Sequence, residues 1–305
     1  MLAAPLVVAF LVAIYSICFY ITSGARYRSQ HFGSDRAARI VRSSCALAAW
    51  ILGVEININI SDDQLHSSCF LGAASPHGAL PVSQLILGAP AFRLDHRLKR
   101  LNMRLCAASV LFYIPLVREF LLLFGARDAS KRTLMSLLAK GNTVAICPGG
   151  NYEMASSSNT HEAIYLQKRL GFIRLAMASG RPIRPIYCFG ENQLFVTSSF
   201  LLPFRRWVAQ RLRIGFPIYF GRFYLPYGPP LPTKTTLIVG EAVSVGDVNA
   251  TPTEAEVEAV CERYLDEISR IWATNARAYL PKEAAENGLK IVRLGKGVVR
   301  HVKAL

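Results

Sequence analysis

The chain has 305 residues with 35 Lys and Arg against 20 Asp and Glu, a net charge of +15, and is 52% hydrophobic but only 18% charged. Average soluble domains have roughly a quarter charged residues, and disordered chains have few large apolar ones, so disorder is excluded and membrane contact is indicated. The seven Cys are widely spaced and form no C-x-x-C pair. This pattern argues against a disulfide framework or a zinc site and predicts a reducing, cytosol-facing domain.

The N-terminal segment is the most apolar part of the chain. The first 25 residues carry no charged side chain, and residues 2–21 form an almost continuous apolar run, long enough for a transmembrane helix. Arg26 and Arg28 follow it, so the positive-inside rule places the remainder in the cytosol. The alternative is a cleavable signal peptide, because small residues follow at 23–25. The anchor is favoured, since the run is too long for a signal peptide and lacks a basic start.

After this segment, strand-like apolar runs alternate with helix-like segments. Strands are predicted at 56–60, 69–74, 143–147 and 183–189, and helices at 130–140 and 169–179. This alternation of strands and helices predicts an α/β fold with a largely parallel sheet and flanking helices. We therefore expect a membrane anchor over 1–25 and a single domain over 26–305, with its core at about 69–275.

The C-terminal part of the chain begins with a helix signature. Thr253 and Glu256 form a capping box, and the apolar residues between 257 and 272 recur on one helical face, which predicts a helix facing the core. The last segment, 282–305, is basic and partly apolar. A solvated tail or an edge strand is the favoured interpretation, ahead of a segment on the membrane surface.

Several chemistries are disfavoured by the absence of their motifs. The sequence has no G-x-S-x-G, G-x-G-x-x-G or G-x-x-x-x-G-K-[ST], which argues against α/β-hydrolase, dinucleotide and P-loop sites. His161 and Glu162 start like a zinc-protease helix, but Tyr165 occupies the position of the second His. The basic residues are spread along the chain without a recognisable nucleic-acid module. An anionic membrane or a phosphate-bearing substrate explains the charge as well as nucleic acid does.

Two polar segments follow strand-like runs, where active-site residues of α/β folds gather. The first is S-P-H-G at 75–78, and the second is P-G-G-N-Y-E at 148–153. Glycines permit close approach of a ligand to backbone N–H groups, and His and Glu can move or orient protons. Each segment also has an ordinary explanation on its own, a structural His and a Gly-rich turn.

Two further motif-like segments follow these two in the sequence. R-L-G-F-I-R-L-A at 169–176 is helix-like, and F-G-E-N at 189–192 ends another predicted strand. In this order and spacing the four segments resemble the diacylglycerol acyltransferase type 2 family, which includes the monoacylglycerol and wax-alcohol acyltransferases, within the glycerolipid acyltransferase superfamily. The resemblance runs from about residue 69 to 275.

The chain departs from the family pattern at several positions. The first His of the family's H-P-H-G motif is Ser75, the N-terminal Y-F-P motif is not found, and the usual pair of membrane segments is reduced to one clear run. The wider superfamily has H-x4-D, and the position of that Asp is Val82. The missing Asp fits the type 2 family rather than the branch with phosphate-bearing acceptors.

The resemblance implies transfer of a fatty acyl group from acyl-CoA to the hydroxyl of an apolar acceptor, with no metal or bound cofactor. Diacylglycerol, giving triacylglycerol, is the first choice of acceptor, followed by monoacylglycerol or a long-chain alcohol. Expected partners are acyl-CoA, the acceptor and a phospholipid membrane, with no nucleic acid and a homo-oligomer left open. The expected location is the endoplasmic reticulum membrane, with the domain in the cytosol, and lipid droplets. The alternatives are a lysophospholipid acyltransferase and a catalytically degenerate lipid-binding protein.

These expectations assign roles to individual residues. His77 is the general base, because a neutral imidazole can take the hydroxyl proton near pH 7, and Glu153 is expected to orient its ring. The N–H groups around the two glycines are expected to stabilise the oxyanion. The motif residues around this centre are Pro76, Gly78, Pro148, Gly149 and Gly150. The predicted acyl-CoA residues are Lys168, Arg169, Gly171, Phe172 and Arg174, and the supporting motif residues are Glu191 and Asn192.

Overall fold

The structure is a computed structural model, and it describes residues 3–27, 35–66, 69–88 and 103–305. The helices are α1 (Ala3–Ile21), α2 (Asp35–Ile51), α3 (Asp62–His66), α4 (Val82–Gly88), α5 (Val117–Leu123), α6 (Lys131–Ala139), α7 (Gly150–Ser156), α8 (Gly171–Ser179), α9 (Leu202–Arg211), α10 (Glu254–Tyr279) and α11 (Lys282–Asn287). The strands are β1 (Glu55–Asn59), β2 (Leu71–Ser75), β3 (Arg104–Ala107), β4 (Arg127–Asp128), β5 (Val144–Ile146), β6 (Glu162–Leu166), β7 (Ile183–Phe189), β8 (Val196–Thr197), β9 (Tyr219–Phe220), β10 (Lys234–Val239), β11 (Leu289–Arg293) and β12 (Gly297–Val302).

The main sheet has seven strands in the order β1-β10-β7-β2-β5-β3-β4. Neighbouring strands run parallel except for the β10–β7 pair, which is antiparallel. A second sheet has the order β12-β11-β6, and β8 pairs with β9. The predicted α/β fold with a largely parallel sheet is confirmed.

The central strands are buried along their whole length, as parallel strands covered by helices on both faces are. All residues of β2 and β7 are buried. The capping box that begins α10 is confirmed, because Thr253 Oγ1 accepts the N–H of Glu256 and Glu256 Oε2 accepts the N–H of Thr253 at 2.7 Å. The apolar face of α10 lies in the core, where Trp272 is 0% exposed.

The N-terminal segment is helical but is not confirmed as a membrane anchor. Leu2 and Arg28 lie outside the described residues, and within the described part of the chain no helix is long and apolar enough to cross a membrane. The end of α1 is bound to α5, where Tyr15 OH donates to Glu119 Oε2 at 2.8 Å. The Arg118 guanidinium donates to the carbonyl oxygen of Phe19 at 2.6 Å and lies over its ring.

The basic C-terminal segment is folded rather than a solvated tail. It forms α11, β11 and β12, with β11 parallel to β6 and β12 at the edge of the second sheet. Its charges pair with acidic residues on α10: Arg293 and Lys296 with Glu258, at 2.5 and 2.7 Å, and Arg300 with Glu262 at 2.9 Å. The edge-strand alternative is therefore the one that the structure supports.

Candidate active site

Three of the four motifs meet at one edge of the main sheet. Strands β7, β2 and β5 are adjacent and parallel, so their carboxyl ends share that edge. Residues 76–78 follow β2, residues 148–153 follow β5, and residues 190–192 follow β7. The fold therefore brings together three segments that are spread over more than 100 residues of the sequence, at the sheet edge where sites of α/β folds form.

His77 lies just past β2 and is 8% exposed. It follows Pro76, whose peptide bond with Ser75 is cis. The ring Nδ1 lies 3.1 Å from the carbonyl oxygen of Gly78. Burial lowers the pKa of His77 below its ordinary value, so the imidazole is neutral at pH 7.

Glu153 contacts His77 through the backbone rather than through the ring. Its Oε1 accepts the N–H of His77 at 2.5 Å, and its Oε2 accepts the N–H of Tyr165 at 2.9 Å. Glu153 lies in the first turn of α7, which begins at Gly150, the second of the two glycines, and this position directs the carboxylate to the loop that leaves β2. Burial raises the pKa of Glu153 to about 7. The imidazole therefore does not bond to the Glu153 carboxylate as expected, and its Nδ1 bonds instead to the Gly78 carbonyl, which accepts.

The two glycines of the 148–153 segment are required for different reasons. Gly150 has φ of +50°, a conformation that favours glycine, and its N–H donates to the Cys147 carbonyl at 3.1 Å. Gly149 has an ordinary φ, but a Cβ there would overlap the Glu153 carboxylate. The Gly150 N–H is already used inside the turn that follows Pro148, which leaves Gly149 as the glycine whose N–H can serve an oxyanion.

The F-G-E-N segment supports the His77 loop from the β7 side. Glu191 is fully buried and accepts hydrogen bonds from the N–H of Ser83, at 3.2 Å, and from its hydroxyl. Burial raises the pKa of Glu191 well above its ordinary value. Gly78 packs on this residue with φ of +65°, and a Cβ there would lie 2.9 Å from Glu191 Cγ. Glu191 is therefore a buried structural contact of the loop.

Asn192 belongs to a neighbouring buried network centred on Glu162. Its Nδ2 lies 3.3 Å from both carboxylate oxygens of Glu162, which also accept from Tyr187 OH at 2.5 Å and Gln193 Nε2 at 3.1 Å. Burial raises the pKa of Glu162. The sequence suggested Glu162 only as part of a failed zinc motif. Among the residues that the structure describes, no cluster of His, Cys, Asp and Glu could hold a metal ion.

Gln84, which the sequence analysis missed, joins the β2 and β5 segments. Its Nε2 donates to the carbonyl of Pro76, and its Oε1 accepts from the Cys147 thiol. Burial raises the pKa of Cys147 well above its ordinary value, so the residue is a protonated thiol rather than a nucleophile. Ser75, at the position of the family's first His, is fully buried.

A cationic cleft of about 710 Å³ borders the Gly-Gly turn. Its lining contains Pro148 and Gly150, with apolar residues that include Phe172. Four cationic side chains and no acidic one line this cleft: Lys131, Lys168, Arg169 and Arg213. Gly171, at the start of α8, also lines it. His77 is outside the lining, one strand away.

Arg174 belongs to an adjoining cleft of about 680 Å³ and is engaged there. Its guanidinium pairs with Glu254 at 2.5 Å and donates to the carbonyl of Pro252 at 3.2 Å. Of the predicted acyl-CoA residues, Lys168 and Arg169 therefore remain the cations of the larger cleft. Lys131 and Arg213 are additions made by the fold, since they come from α6 and from the segment after α9.

Comparison with known proteins gives a consistent picture. The family model described as diacylglycerol acyltransferase matches residues 6–284. Diacylglycerol O-acyltransferase 2 of Dictyostelium discoideum is 25% identical over 268 residues, covering 84% of this chain and 81% of that protein. The human 2-acylglycerol O-acyltransferase 3 is 30% identical over 184 residues, 55% of this chain and 52% of its own length.

The matched region spans about half the length of several relatives, among them the human diacylglycerol O-acyltransferase 2, which is 28% identical and is covered to 54%. A crystal structure of the 1-acyl-sn-glycerophosphate acyltransferase of Thermotoga maritima aligns with 86% of this chain and 96% of that one, at a TM-score of 0.45 and 15% identity. The family model covers nearly the whole chain. The chain therefore belongs to the diacylglycerol acyltransferase family, and the prediction of an O-acyltransferase is confirmed.

Proposed function

We propose that this chain transfers the acyl group of acyl-CoA to the hydroxyl of diacylglycerol, giving triacylglycerol, with monoacylglycerol or a long-chain alcohol as other acceptors. The observation that carries the proposal is the placement of a neutral, buried His77 at the same sheet edge as the Gly-Gly turn, which borders a cationic cleft. Family membership and the names of the relatives support the same reaction.

His77 acts as the general base in this mechanism. The Gly78 carbonyl can only accept a hydrogen bond, so Nδ1 carries the proton and Nε2 keeps its lone pair. Nε2 takes the hydroxyl proton as the acceptor oxygen attacks the thioester carbonyl, because an alcohol is a poor nucleophile while it retains that proton. No Ser or Cys nucleophile is needed.

The tetrahedral intermediate is stabilised at the Gly-Gly turn and then collapses. The N–H of Gly149 is the donor for the developing oxyanion. The carbon–sulfur bond breaks, the ester forms, and the imidazolium of His77 returns its proton to the departing CoA thiolate. Glu153, held against the backbone of His77, fixes the position of the base.

Acyl-CoA binds in the cationic cleft. Its phosphates pair with Lys131, Lys168, Arg169 and Arg213, which line a cleft without acidic side chains. Lys131, Lys168 and Arg169 also border the adjoining cleft, where Glu254 and Glu258 are paired with other cations. The apolar part of the lining, which includes Phe172, accepts the less polar portion of the molecule. Arg174 contributes less, because it is paired with Glu254.

We further propose that residues 1–25 anchor the chain in the endoplasmic reticulum membrane with the remainder in the cytosol, and that the protein also reaches lipid droplets. The uncharged N-terminal run and the basic residues after it support this orientation. Protease added to sealed microsomes should digest the domain. Full protection would reverse the topology.

The reaction is tested by incubating the purified full chain with radiolabelled acyl-CoA and each of four acceptors, namely diacylglycerol, monoacylglycerol, a long-chain alcohol and a lysophospholipid. Triacylglycerol should be the main product, and it should be absent with His77→Ala. Phospholipid as the main product would support a lysophospholipid acyltransferase instead. No product from any acceptor would support a degenerate lipid-binding protein.

A further inference from the structure

Helix α9 buries an arginine and exposes two aromatic rings. Arg205 is 1% exposed and donates to the carbonyls of Ala155 and Ser198, each at 2.6 Å. On the outer face Phe204 is 56% exposed and Trp207 is 52% exposed, with their rings stacked. A helix that faces water usually buries its apolar side chains and exposes its charged ones. The outer face of α9 is therefore suited to contact with an apolar phase rather than with water.

The apolar exposure continues on both sides of the helix. We call this region the α9 surface and define it by its exposed side chains Phe200, Phe204, Trp207, Leu212, Ile214 and Phe216. The backbone around it is held in place, because Arg205 also donates to the Phe216 carbonyl at 3.0 Å and Asn151 donates to the Arg213 carbonyl. The surface is therefore a feature of the fold rather than a loose loop.

The charge of this region has one sign. No Asp or Glu occurs between Glu191 and Glu241. Not every cation of this stretch faces outward, since Arg205 is buried and Lys234 pairs with Glu55 at 3.8 Å. Arg211 is exposed at the end of α9, beside the apolar side chains. Aromatic rings flanked by Arg are characteristic of segments that lie in the interface of an anionic bilayer, where the rings enter the boundary of the acyl chains and the cations meet lipid phosphates.

We propose that the α9 surface docks onto an anionic phospholipid bilayer, independently of the N-terminal segment. A second copy of the chain is a poorer occupant, because a two-fold contact would bring the exposed Arg211 of one copy against the same surface of the other, whose six defining side chains include no acidic one. A bilayer containing phosphatidylserine supplies both the apolar phase and the negative charge.

Docking would place the cationic cleft at the membrane. Ala209, Gln210 and Arg213 of the same segment line that cleft. An apolar acceptor dissolved in the bilayer would then reach the cleft without crossing water. This consequence rests on the proposed function, whereas the docking itself does not.

Tryptophan fluorescence of the full chain tests the docking directly. The chain has three Trp, at positions 50, 207 and 272, and Trp272 is buried. The Trp50→Phe variant therefore reports on Trp207, and the Trp50→Phe/Trp207→Phe variant retains only the buried Trp272 as a control. Both are reconstituted in phosphatidylcholine–phosphatidylserine vesicles whose acyl chains are brominated near the headgroup.

Brominated lipid should remove most of the Trp207 emission and leave the emission of the double variant unchanged. Quenching of Trp207 by acrylamide in the water, with none by brominated lipid, would overturn the proposal. Protection from both quenchers, together with a dimer in solution, would overturn it in favour of a second copy.

Charge-reversal variants test whether the α9 surface recognises an anionic bilayer or only an apolar phase. Arg211→Glu, in the Trp50→Phe background, should lose quenching in vesicles that contain phosphatidylserine. The matched control is Lys282→Glu, which changes an exposed cation of α11 outside this surface. Equal quenching in the two variants would contradict recognition of anionic lipid by the α9 surface.

Discussion

Glu153 accepts the backbone N–H of His77 with one carboxylate oxygen and the backbone N–H of Tyr165 with the other. His77 follows a strand of the main sheet, whereas Tyr165 belongs to β6 of the second sheet. One buried carboxylate therefore fixes the His77 loop against a separate part of the fold. In the proposed mechanism, Glu153 is a positioning residue that acts on the place of the imidazole rather than on its charge.

The first prediction concerns Glu153→Gln. An amide has one acceptor oxygen, so one of the two backbone N–H groups loses its partner and meets an NH₂ group instead. Leaving a buried donor unsatisfied costs about 1–3 kcal/mol, so the free energy of unfolding should fall by that amount, and kcat should fall with it. Chemical denaturation in detergent micelles measures the change in the free energy of unfolding. Glu286→Gln, on an exposed residue of α11, should leave stability and kcat unchanged, and an equal loss there would contradict the specific role of Glu153.

The second prediction concerns the steric role of Gly149. Gly149→Ala should lower stability and kcat, because its Cβ displaces the Glu153 carboxylate from the His77 loop. Overpacking of this kind costs roughly 1–3 kcal/mol. Gly171→Ala is the matched control, since its Cβ has no heavy atom within 4 Å, and its effect should be confined to the KM for acyl-CoA. Thermal unfolding and steady-state kinetics of both variants decide between steric displacement and a general intolerance of Ala.

The sequence predicted those features that depend on local pattern. Strand ends marked by Pro and Gly placed His77 and Glu191 correctly at one sheet edge, because parallel strands align their carboxyl ends. The capping box and apolar face of α10 were also predictable, since the apolar residues of a helix recur along the sequence with the period of the helix.

Contacts between distant segments were not predictable in this way. Gln84 reaches Cys147 only because α4 packs against β3, the neighbour of β5 in the sheet, and no local sequence pattern marks Gln84. Lys131 and Arg213 enter the cationic cleft from elements far apart in the chain. The partner of Glu153 was misassigned because motif spacing brings the two residues together without specifying which atoms of His77 the carboxylate meets.

The third prediction concerns the cationic cleft. Lys168→Ala and Arg169→Ala should each raise the KM for acyl-CoA with little change in kcat, by about tenfold for the loss of one charge-assisted contact of about 1.4 kcal/mol. Arg174→Ala should raise KM less, because its guanidinium is paired with Glu254. Kinetics at varied acyl-CoA and fixed acceptor measure these effects. A larger effect at Arg174 than at the other two positions would assign the phosphates to the neighbouring cleft instead.

The fourth prediction is the pH dependence of turnover. A general base works in its neutral form, and burial lowers the pKa of His77 below the ordinary 6.5. The acid limb of kcat should therefore have its midpoint below pH 6.5. The contribution of His77 to stability has the same sign, since its depressed folded pKa makes stability fall as pH drops below the unfolded value. The raised pKa of Glu153 acts in the opposite direction, since it makes stability fall as pH rises. A midpoint near pH 7 would assign the acid limb to Glu153, whose pKa is raised to about 7, and any other midpoint above 6.5 would mean that a different group limits the reaction.

The last prediction concerns His77→Ala. Removing a general base costs roughly 10²–10⁴ in rate, about 3–5 kcal/mol of barrier, so acyl transfer should be lost to background. The fold should survive, because Glu153 binds the backbone N–H of residue 77, which alanine retains. Binding of acyl-CoA should also persist, since His77 does not line the cationic cleft. Ser75→Ala is the neighbouring control and should be mild, because Ser75 is fully buried and stands where the family has His, so it is not a required titrating group. Turnover near the wild-type rate in His77→Ala, with turnover lost in Ser75→Ala, would require an active site built around the serine.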